Sequence, residues 1–509
     1  MKDGEERRIP LSEFEFVGEE GRLSDKKLET KPIGYYRDVL NRFSRNKSSV
    51  VAAFIILFLA LYAVIAPIAG RTKYTLSLTD TSYLMYTQLP PKSAALAFLG
   101  FDGQSDATVN AVTYLAYKAM AQETGLDPVV DIYRANYTDP TASAASTFYD
   151  IKVDEYLKLG MAYLALTTAQ YESIQAWQDE TGIQVIYPAI TDSKQTNANI
   201  WYVANAKGSP TLDKDGNFQP IYRAAPLDDV SYHSLRIAAD NDPDKPLAYA
   251  RVTGTSNMRS YVARVCKYTY FQYRYGHAPS FIFGTNAKGQ DIFTRLAMGA
   301  RFSFIFAIVI SAINLFIGTM YGAVEGYYGG AIDLIMERIS DILNDVPFIV
   351  VTTLFQLHLA KKVGPVVSVL FAFVSTGWIG MAYRVRMQFY RFKGQEYIIA
   401  AHTLGANDAR LMFKHILPNS LGTIITGSVL SIPGTILAES TLSYLGIINL
   451  ETSTMSSVGT MLAGGRAYLS TYPHIILFPA LFISLLMISF NLFGNGLRDA
   501  FNPSLRGTE

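Results

Sequence analysis

Long uncharged stretches alternate with polar segments along this chain. Five stretches of 17 to 23 residues lack Asp, Glu, Lys and Arg, at 50–67, 302–324, 366–383, 422–438 and 475–492. Apolar helices of about 17 to 25 residues cross a bilayer. Five such runs are hard to bury inside a soluble protein. The pattern therefore predicts a polytopic membrane protein.

A sixth, shorter stretch at 346–360 also predicts a span. It follows residues 332–345, where apolar residues at helical spacing are interrupted by charges. We therefore expect this span to begin in the membrane interface. Together the runs predict six transmembrane helices.

The polar segment 71–282, between the first two spans, has the signals of an α+β domain. An Ala-rich piece at 111–122 predicts a helix. Asp215 and Gly216 in "LDKDGNFQPIY" predict a tight turn between extended segments. A calcium loop does not fit there, because the glycine is misplaced and no Glu closes the loop. The alternating aromatics of "CKYTYFQYRYGH", 266–277, predict an exposed-face strand, with stacking on a ligand as an alternative.

Basic residues next to the spans predict the orientation, because Lys and Arg near membrane segments are retained in the cytoplasm. Four precede the first span: Arg37, Arg42, Arg45 and Lys47. Six lie between the fourth and fifth spans: Arg384, Arg386, Arg391, Lys393, Arg410 and Lys414. Lys361 and Lys362, on the predicted outer side, are an exception. The predicted parts are a cytoplasmic tail at 1–48, a first span at 49–70, an outer domain at 71–282, a helical core at 283–498 and a cytoplasmic tail at 499–509.

Composition narrows the classes of function. Hydrophobic residues make up 50% of the chain and charged residues 17%, and the net charge of +1 suggests neither nucleic acid nor an acidic partner. The single cysteine, Cys266, cannot form an intrachain disulfide, so cysteine usage does not indicate whether the protein is in an oxidising or a reducing compartment. A cleaved signal peptide is not predicted, since a long charged segment precedes the first span.

No catalytic or metal-binding constellation is predicted. The segment "GTNAKGQD", 284–291, has two glycines at the separation of a phosphate-binding loop, but it lacks the Lys and the Ser or Thr that hold phosphate and magnesium. The histidines are scattered rather than grouped at metal-ligand spacing. We therefore expect no enzyme, no metal site and no cofactor on this chain. Energy for transport would come from outside it.

Three polar residues lie in or at the edge of the predicted spans: Asn314, Glu439 and Asn491. Polar groups in a bilayer are costly, and they mark either transport paths or bonds across helix interfaces. The residues alone leave both interpretations open. All three are candidates for a translocation path.

The stretch "IIAAHTLGANDARLMFKHILPN", 398–419, predicts a bent amphipathic element. Tyr397, Ile398, Ala401 and Leu404 share one predicted helical face, and a second face holds Leu411, Met412, His415 and Ile416. Gly405 marks the bend, Asn407 or Asp408 can cap the next helix, and Pro418 is expected to end it. Such an element can dock into a groove on a partner or rest on lipid headgroups, and the residues favour neither.

"AAHTLGANDARLMFKHILPN" resembles the EAA loop of permease subunits of bacterial ABC importers. Four further segments resemble the second permease subunit, the C type, of the dipeptide and oligopeptide importers: "FGTNAKGQDIFTRLAMGARFS", "GYYGGAIDLIMERISDILNDVPF", "TILAESTLSYLG" and "NLFGNGLRDAFNPSLR". The resemblance covers the first span and about 283–507, in the same order. It implies an all-α membrane protein with the six-helix type I ABC importer permease fold, here with an α+β extracytoplasmic insert between helices 1 and 2.

The resemblance also implies a function and partners. The chain would form half of a peptide translocation path with a sister permease in the bacterial inner membrane, and an extracytoplasmic peptide-binding protein would deliver the cargo. One or two ATPase subunits, which bind ATP and Mg, would dock on the loop at 384–420. The implied coupling residues are Glu396, Ile399, Ala400, Ala401, Leu404, Gly405, Ala406, Asp408, Ile416, Leu417 and Pro418.

The chain departs from the family pattern in three places. Ile399 stands where the acid that names the motif falls, and Glu396 is one turn earlier. Asn286 and Gln290 replace the usual Asp and Arg of "GTNAKGQD". The insert 71–282 replaces a usually short loop, and it either guides substrate by docking the binding protein or forms a structural cap.

Other functions remain open at this point. Relatives within the resemblance carry nickel or sugars, and nothing in the spans selects peptides over these. A membrane receptor with an outer sensor domain is a different class. It would require a cytoplasmic signalling domain, and the predicted inner segments are all short.

Overall fold

The computed structural model describes residues 35–73, 81–138, 147–190, 197–205, 209–222, 232–233, 247–255, 259–451 and 455–501. In chain order the helices are α1 (Tyr35–Arg45), α2 (Lys47–Lys73), α3 (Ala111–Thr124), α4 (Thr168–Thr181), α5 (Lys267–Tyr275), α6 (Ile292–Tyr328), α7 (Gly330–Asn344), α8 (Phe348–Val363), α9 (Pro365–Gly377), α10 (Ile379–Lys393), α11 (Glu396–Thr403), α12 (Asp408–Arg410), α13 (Leu417–Tyr444), α14 (Val458–Gly465) and α15 (His474–Phe501). The strands are β1 (Gln104–Asn110), β2 (Val129–Thr138), β3 (Thr147–Asp154), β4 (Met161–Thr167), β5 (Ile186–Tyr187), β6 (Tyr232–His233), β7 (Ala250–Thr253) and β8 (Ser260–Cys266).

All five long uncharged runs lie in apolar helices long enough to cross a membrane. α2, α6 and α15 contain one run each, α9 and α10 share one as the unit Pro365–Lys393, and the last lies in Asp408–Tyr444. The helices α7 and α8 meet at 73° and make a sixth span if the bent pair is counted as one. Pro347 lies at this bend, directly before α8. Proline lacks the amide hydrogen that an α-helix needs at this position, so α7 does not continue through it.

Pro418 does not end the helix that follows Asn407, so that prediction is wrong. The helical conformation continues from α12 through a π-helical turn, Leu411–Ile416, into α13. The Leu417 amide donates to the Met412 carbonyl, five residues earlier. This wider turn comes just before Pro418, which has no amide hydrogen and cannot donate a helical hydrogen bond. Proline is tolerated there, in the first turn of α13.

The helices α6 and α10 pack with their backbones in close contact. Gly318, Gly322 and Gly326 recur at every fourth position of α6. A β-carbon at Gly322 would lie 2.2 Å from the Ala382 carbonyl oxygen, and one at Gly326 would lie 2.7 Å from the Arg386 carbonyl oxygen. Small residues at this spacing let membrane helices approach closely. The close contact therefore fixes the position of α10 along α6.

The described residues between α2 and α6 form a mixed region with two antiparallel sheets. The strand orders are β1-β3-β2 and β4-β8-β7-β6, with β5 also paired to β8. The helix predicted at 111–122 is confirmed as α3. The turn predicted at Gly216 is confirmed by a bridge between Leu212 and Phe218 and by a left-handed Gly216, with φ of +82°.

The strand predicted for "CKYTYFQYRYGH" is wrong, because β8 ends at Cys266 and the following residues form α5. Aromatic residues are so dense there that they satisfy both the strand and the helix period. Packing decides between the two. The helix places the Phe271 ring 5.2 Å from the Tyr86 ring and 5.7 Å from the Phe281 ring, in one buried cluster.

A buried ion pair between Arg264 on β8 and Glu123 on α3 connects the two sheets. The two side chains are 0% and 4% exposed. Arg264 Nη2 donates to Glu123 Oε2 at 2.7 Å, and its Nε donates to the Ala198 carbonyl at 2.5 Å. The Tyr222 hydroxyl donates to Glu123 Oε1 at 2.9 Å. Burial, together with the Glu123 charge, raises the pKa of Tyr222 and keeps this donor protonated.

This pair generates the first prediction. Glu123→Ala would leave the Arg264 guanidinium buried without a counter-charge, so we expect a loss of about 3–5 kcal/mol in the stability of the mixed region. Lys118→Ala, on the same helix, removes only a partly exposed pair with Asp127 and should cost at most about 1 kcal/mol. Amide hydrogen exchange in β8 and α3 of the full chain measures both effects. Equal protection in the two variants would contradict the prediction.

Candidate functional site

The amphipathic segment, defined as residues 396–418, is seated on α6 and α10. Four of its side chains are buried: Ile398, Leu411, Met412 and Ile416. They form one apolar cluster with Ala323 of α6 and with Met381, Val385 and Phe389 of α10. Three of the four residues of the predicted second face thus lie in this cluster, while His415 is half-buried. The segment is therefore packed on these helices and is not a free loop.

The opposite side of the segment projects away from the bundle. Leu404 is 89% exposed and Ile399 is 56% exposed. The predicted first face is divided, because α11 ends at Thr403 and Leu404 leaves the helical face that Ile398 and Ala401 occupy. We call Ile399, Ala400 and Leu404 the exposed tip.

The remaining candidate residues differ in burial. Glu396, Gly405, Asp408 and Pro418 are exposed, and Ala401, Ala406 and Leu417 are half-buried. Gly405 has φ of +88°, and a β-carbon there would have open space around it. The turn, not a close approach, is thus the reason for glycine at this position.

Two hydrogen bonds fix the chain after the bend. Asn407 Oδ1 accepts from the Arg410 amide at 2.9 Å, so Asn407 is the helix cap. Asp408 Oδ1 instead accepts from the Tyr327 hydroxyl at 2.8 Å, which ties the segment to the end of α6. The sequence predicted either residue as the cap. The structure shows that Asn407 is the cap and that Asp408 binds Tyr327 instead.

An ion-pair cluster around Arg386 lies beside this seat, and sequence reasoning missed it. Arg386 of α10 donates to both Asp333 oxygens, at 2.7 and 2.9 Å, and to both Glu337 oxygens, at 2.7 and 3.1 Å. Glu325 of α6 lies 3.5 Å away, and the Tyr390 hydroxyl also donates to Asp333. Three helices are joined here. The sequence does show Asp333 and Glu337 four residues apart on α7. Only the fold shows that Arg386 is their common partner.

A cavity of about 460 Å³ opens between α6, α9, α10 and α13. Its polar lining residues are Ser311, Asn314, Thr376, Arg384, Ser431 and Thr435. Asn314 Oδ1 accepts no hydrogen bond from the described residues. Gly377 leaves room for Asn314, since a β-carbon there would lie 2.4 Å from Asn314 Nδ2. The volume is within the range of small-molecule sites.

A second cavity, of about 340 Å³, adjoins the first and has three arginines in its lining. The two share Arg384, Gly427 and Leu430, and the second adds Arg391 and Arg498. Guanidinium groups that line a cleft raise the local concentration of anionic groups. The combined lining is thus polar at one end and positive at the other.

Glu439 and Asn491, the other two path candidates, lie elsewhere. Glu439 is 1% exposed and is surrounded by serine hydroxyls. Ser457 and Ser443 donate to its Oε1 at 2.7 and 2.9 Å, and Ser303 of α6 lies 3.4 Å from Oε2. This arrangement bonds α13 to α6 and to the start of α14. Asn491 is exposed on the outer surface of α15.

The segment "GTNAKGQD" connects the start of α6 to the residues at 86–89. Thr285 Oγ1 accepts from the Leu89 amide at 2.8 Å and donates to the Tyr86 carbonyl at 2.5 Å. Asn286 Nδ2 donates to Gln290 Oε1 at 3.1 Å, so a neutral amide pair occupies the two positions where the family pattern has a charge pair. Asp291 caps α6 by accepting from the Phe293 and Thr294 amides.

The amino-acid sequence matches two known families and is similar to several known proteins. Residues 314–507 match the family described as "Binding-protein-dependent transport system inner membrane component", and residues 34–91 match "N-terminal TM domain of oligopeptide transport permease C". The oligopeptide transport system permease protein OppC of Bacillus subtilis is 42% identical over 224 residues, which cover 44% of this chain and 72% of that relative. The chain belongs to the dipeptide and oligopeptide ABC permease family.

Two further relatives are similar to this permease over the same length. The dipeptide transport system permease protein DppC of Bacillus subtilis is 41% identical over 225 residues, or 44% of this chain and 69% of the relative. The OppC protein of Haemophilus influenzae is 39% identical over 225 residues, or 44% of this chain and 70% of the relative. The amphipathic segment lies within the matched range 314–507, whereas every strand of the two sheets lies between the two matched ranges.

The Arg386 cluster generates the second prediction. Arg386→Met would leave three carboxylates facing one another, so we expect the bundle to lose about 3–5 kcal/mol of stability. Arg338→Met is the matched control on α7, because its pair with Asp341 is exposed and worth at most about 1 kcal/mol. Thermal unfolding of the purified permease compares the two. An Arg386 variant as stable as the Arg338 variant would show that the cluster holds nothing together.

Proposed function

We propose that this chain is a transmembrane subunit of an ATP-driven importer of di- or oligopeptides. The observation that carries the proposal is the amphipathic segment: its buried side is fixed to α6 and α10, and its exposed tip is apolar. An element of this kind passes displacement from a docked partner into the bundle. The relatives' names, oligopeptide and dipeptide transport permeases, support the cargo.

The partner at the exposed tip is proposed to be an ATPase subunit that binds ATP and Mg. Leu404 and Ile399 offer apolar anchors that a groove can cover, and exposed apolar residues of this size mark interaction surfaces. Position 399 is exposed, so docking here depends on apolar fit where the family pattern has an acid. One or two such ATPase subunits would serve the assembly.

The two adjoining cavities are proposed as this subunit's half of the translocation path. Their open side would be closed by a sister permease, giving a heterodimer in the bacterial inner membrane. Asn314 and Arg384 would contact the peptide backbone or its carboxylate, because both line the path with polar groups. Glu439 would serve the path indirectly, by holding α13 against α6.

The orientation follows from the basic residues near the helix ends. We propose six spans, with α7 and α8 as one bent span, both chain termini in the cytoplasm and the mixed region outside. Arg391, Arg498 and the exposed tip then share the cytoplasmic end. The mixed region would receive an extracytoplasmic peptide-binding protein.

Substitutions at the exposed tip give the third prediction. Leu404→Asp should weaken ATPase docking by about 2 kcal/mol or more, the usual contribution of an interface anchor, and should uncouple ATP hydrolysis from peptide uptake. Ile399→Glu should weaken docking in the same direction. Leu404→Met keeps apolar volume and is the control. Vesicle uptake and ATPase assays on the reconstituted assembly measure coupling.

All three variants should keep the stability of the parent permease, because the substituted side chains are exposed. Coupled uptake at the parent rate in Leu404→Asp would reject the coupling role. Restored or improved coupling in Ile399→Glu would instead indicate a charged docking contact at this position.

Cross-linking gives the fourth prediction. If the mixed region docks the binding protein, a photoreactive residue at Tyr133, 57% exposed on β2, should cross-link to that protein in the assembled importer. The same residue at Leu404 should cross-link to the ATPase and serve as the control. Cross-links at Leu404 but none from exposed sites of the mixed region would favour a structural cap.

A further inference from the structure

A short finger, residues 91–103, projects from the mixed region and lies along the chain between α2 and β1. Lys92 and Asp102 form an antiparallel bridge at its base. The Ser93 amide donates to the Phe101 carbonyl at 2.8 Å, and the Gly103 amide donates to the Pro91 carbonyl at 3.0 Å. Its tip is the 3-10 helix Ala94–Leu99, which ends at a left-handed Gly100. The finger is thus an ordered hairpin with a closed tip.

The tip of the finger is apolar and uncovered. Residues 93–101 read "SAALAFLGF" and carry no charge. Phe98 is 81% exposed and Leu99 is 61% exposed. The charges at the base are both engaged, since Lys92 pairs with Asp154 at 2.8 Å and Asp102 pairs with Lys152 at 3.5 Å. Large apolar side chains clustered on an ordered protrusion mark a binding surface.

A ring contact places the finger beside the His474 end of α15. The Phe101 ring lies 6.0 Å from the Phe478 ring, and Phe478 stacks on Phe283 at 4.1 Å. Phe478 is four residues into an apolar membrane helix that begins at His474, or about 6 Å along its axis. The outward surface of that helix continues as Leu477, 48% exposed, and Leu481, 54% exposed.

We propose that the tip of the finger inserts into the lipid leaflet at the His474 end of the bundle and anchors the mixed region to the membrane surface. The occupant is lipid because the tip carries no charge and the finger contacts, through Phe101, a helix that is long and apolar enough to cross a membrane. Interfacial elements of this kind bury their apolar side about 5–10 Å into the boundary between headgroups and acyl chains. The paired charges at the base then remain at headgroup level.

A fluorophore on an introduced cysteine tests the anchor in the full importer assembly, reconstituted in nanodiscs. The natural Cys266 is 4% exposed, and burial raises the pKa of its thiol, so it competes little for the label. Phe98→Cys carries an environment-sensitive fluorophore. Thr108→Cys is the comparator, because it is exposed on β1, which leads away from the finger.

We expect the probe at position 98 to emit at shorter wavelength, to lose intensity with lipids that carry a nitroxide near the headgroup, and to resist aqueous iodide. The probe at position 108 should show the reverse. Iodide quenching at position 98 equal to that at position 108 would overturn the proposal. Protection from iodide without quenching by nitroxide lipid would also overturn it, because a protein partner would then cover the tip. Thermal unfolding of both labelled variants checks that each is folded.

Discussion

The backbone contact between α6 and α10 is the constraint on which the functional parts of this permease depend. Gly322 and Gly326 allow the two helices to approach so closely that no side chain fits between them. The Arg386 cluster then fixes the same helices to α7 through charge-assisted hydrogen bonds. One helix, α10, thus carries both the seat of the amphipathic segment and part of the cavity lining.

The amphipathic segment has a buried side that packs on α6 and α10 and an exposed side that no described residue covers. Buried Ile398, Leu411 and Ile416 give a fixed seat, since dense apolar packing transmits force with little compression. Leu404 and Ile399 remain free to be buried by a partner. The π-helical turn before Pro418 removes the break that a proline would cause, so the seat continues into α13 as one helix. A docked partner would therefore act on a membrane helix directly.

The mixed region is joined to the bundle by hydrogen bonds at Thr285 and by aromatic contacts near Phe478. Inside the region, the Arg264–Glu123 pair holds the two sheets at a fixed relative position. The contacts at Thr285 and Phe478 attach the described part of the region to the ends of α6 and α15.

The sequence by itself determined the apolar helices, the helix at 111–122, the turn at Gly216 and the family, because local periodicity, turn chemistry and ordered motifs are all written along the chain. It also located the amphipathic segment. Tertiary structure decided the features that depend on residues far apart: the partners of Arg386, the helix at 267–275 in place of a strand, and the placement of Asn314 on a cavity but of Glu439 in a serine cluster. Where a local pattern fits two conformations, or a polar residue fits two roles, only the surrounding packing and hydrogen bonds select one.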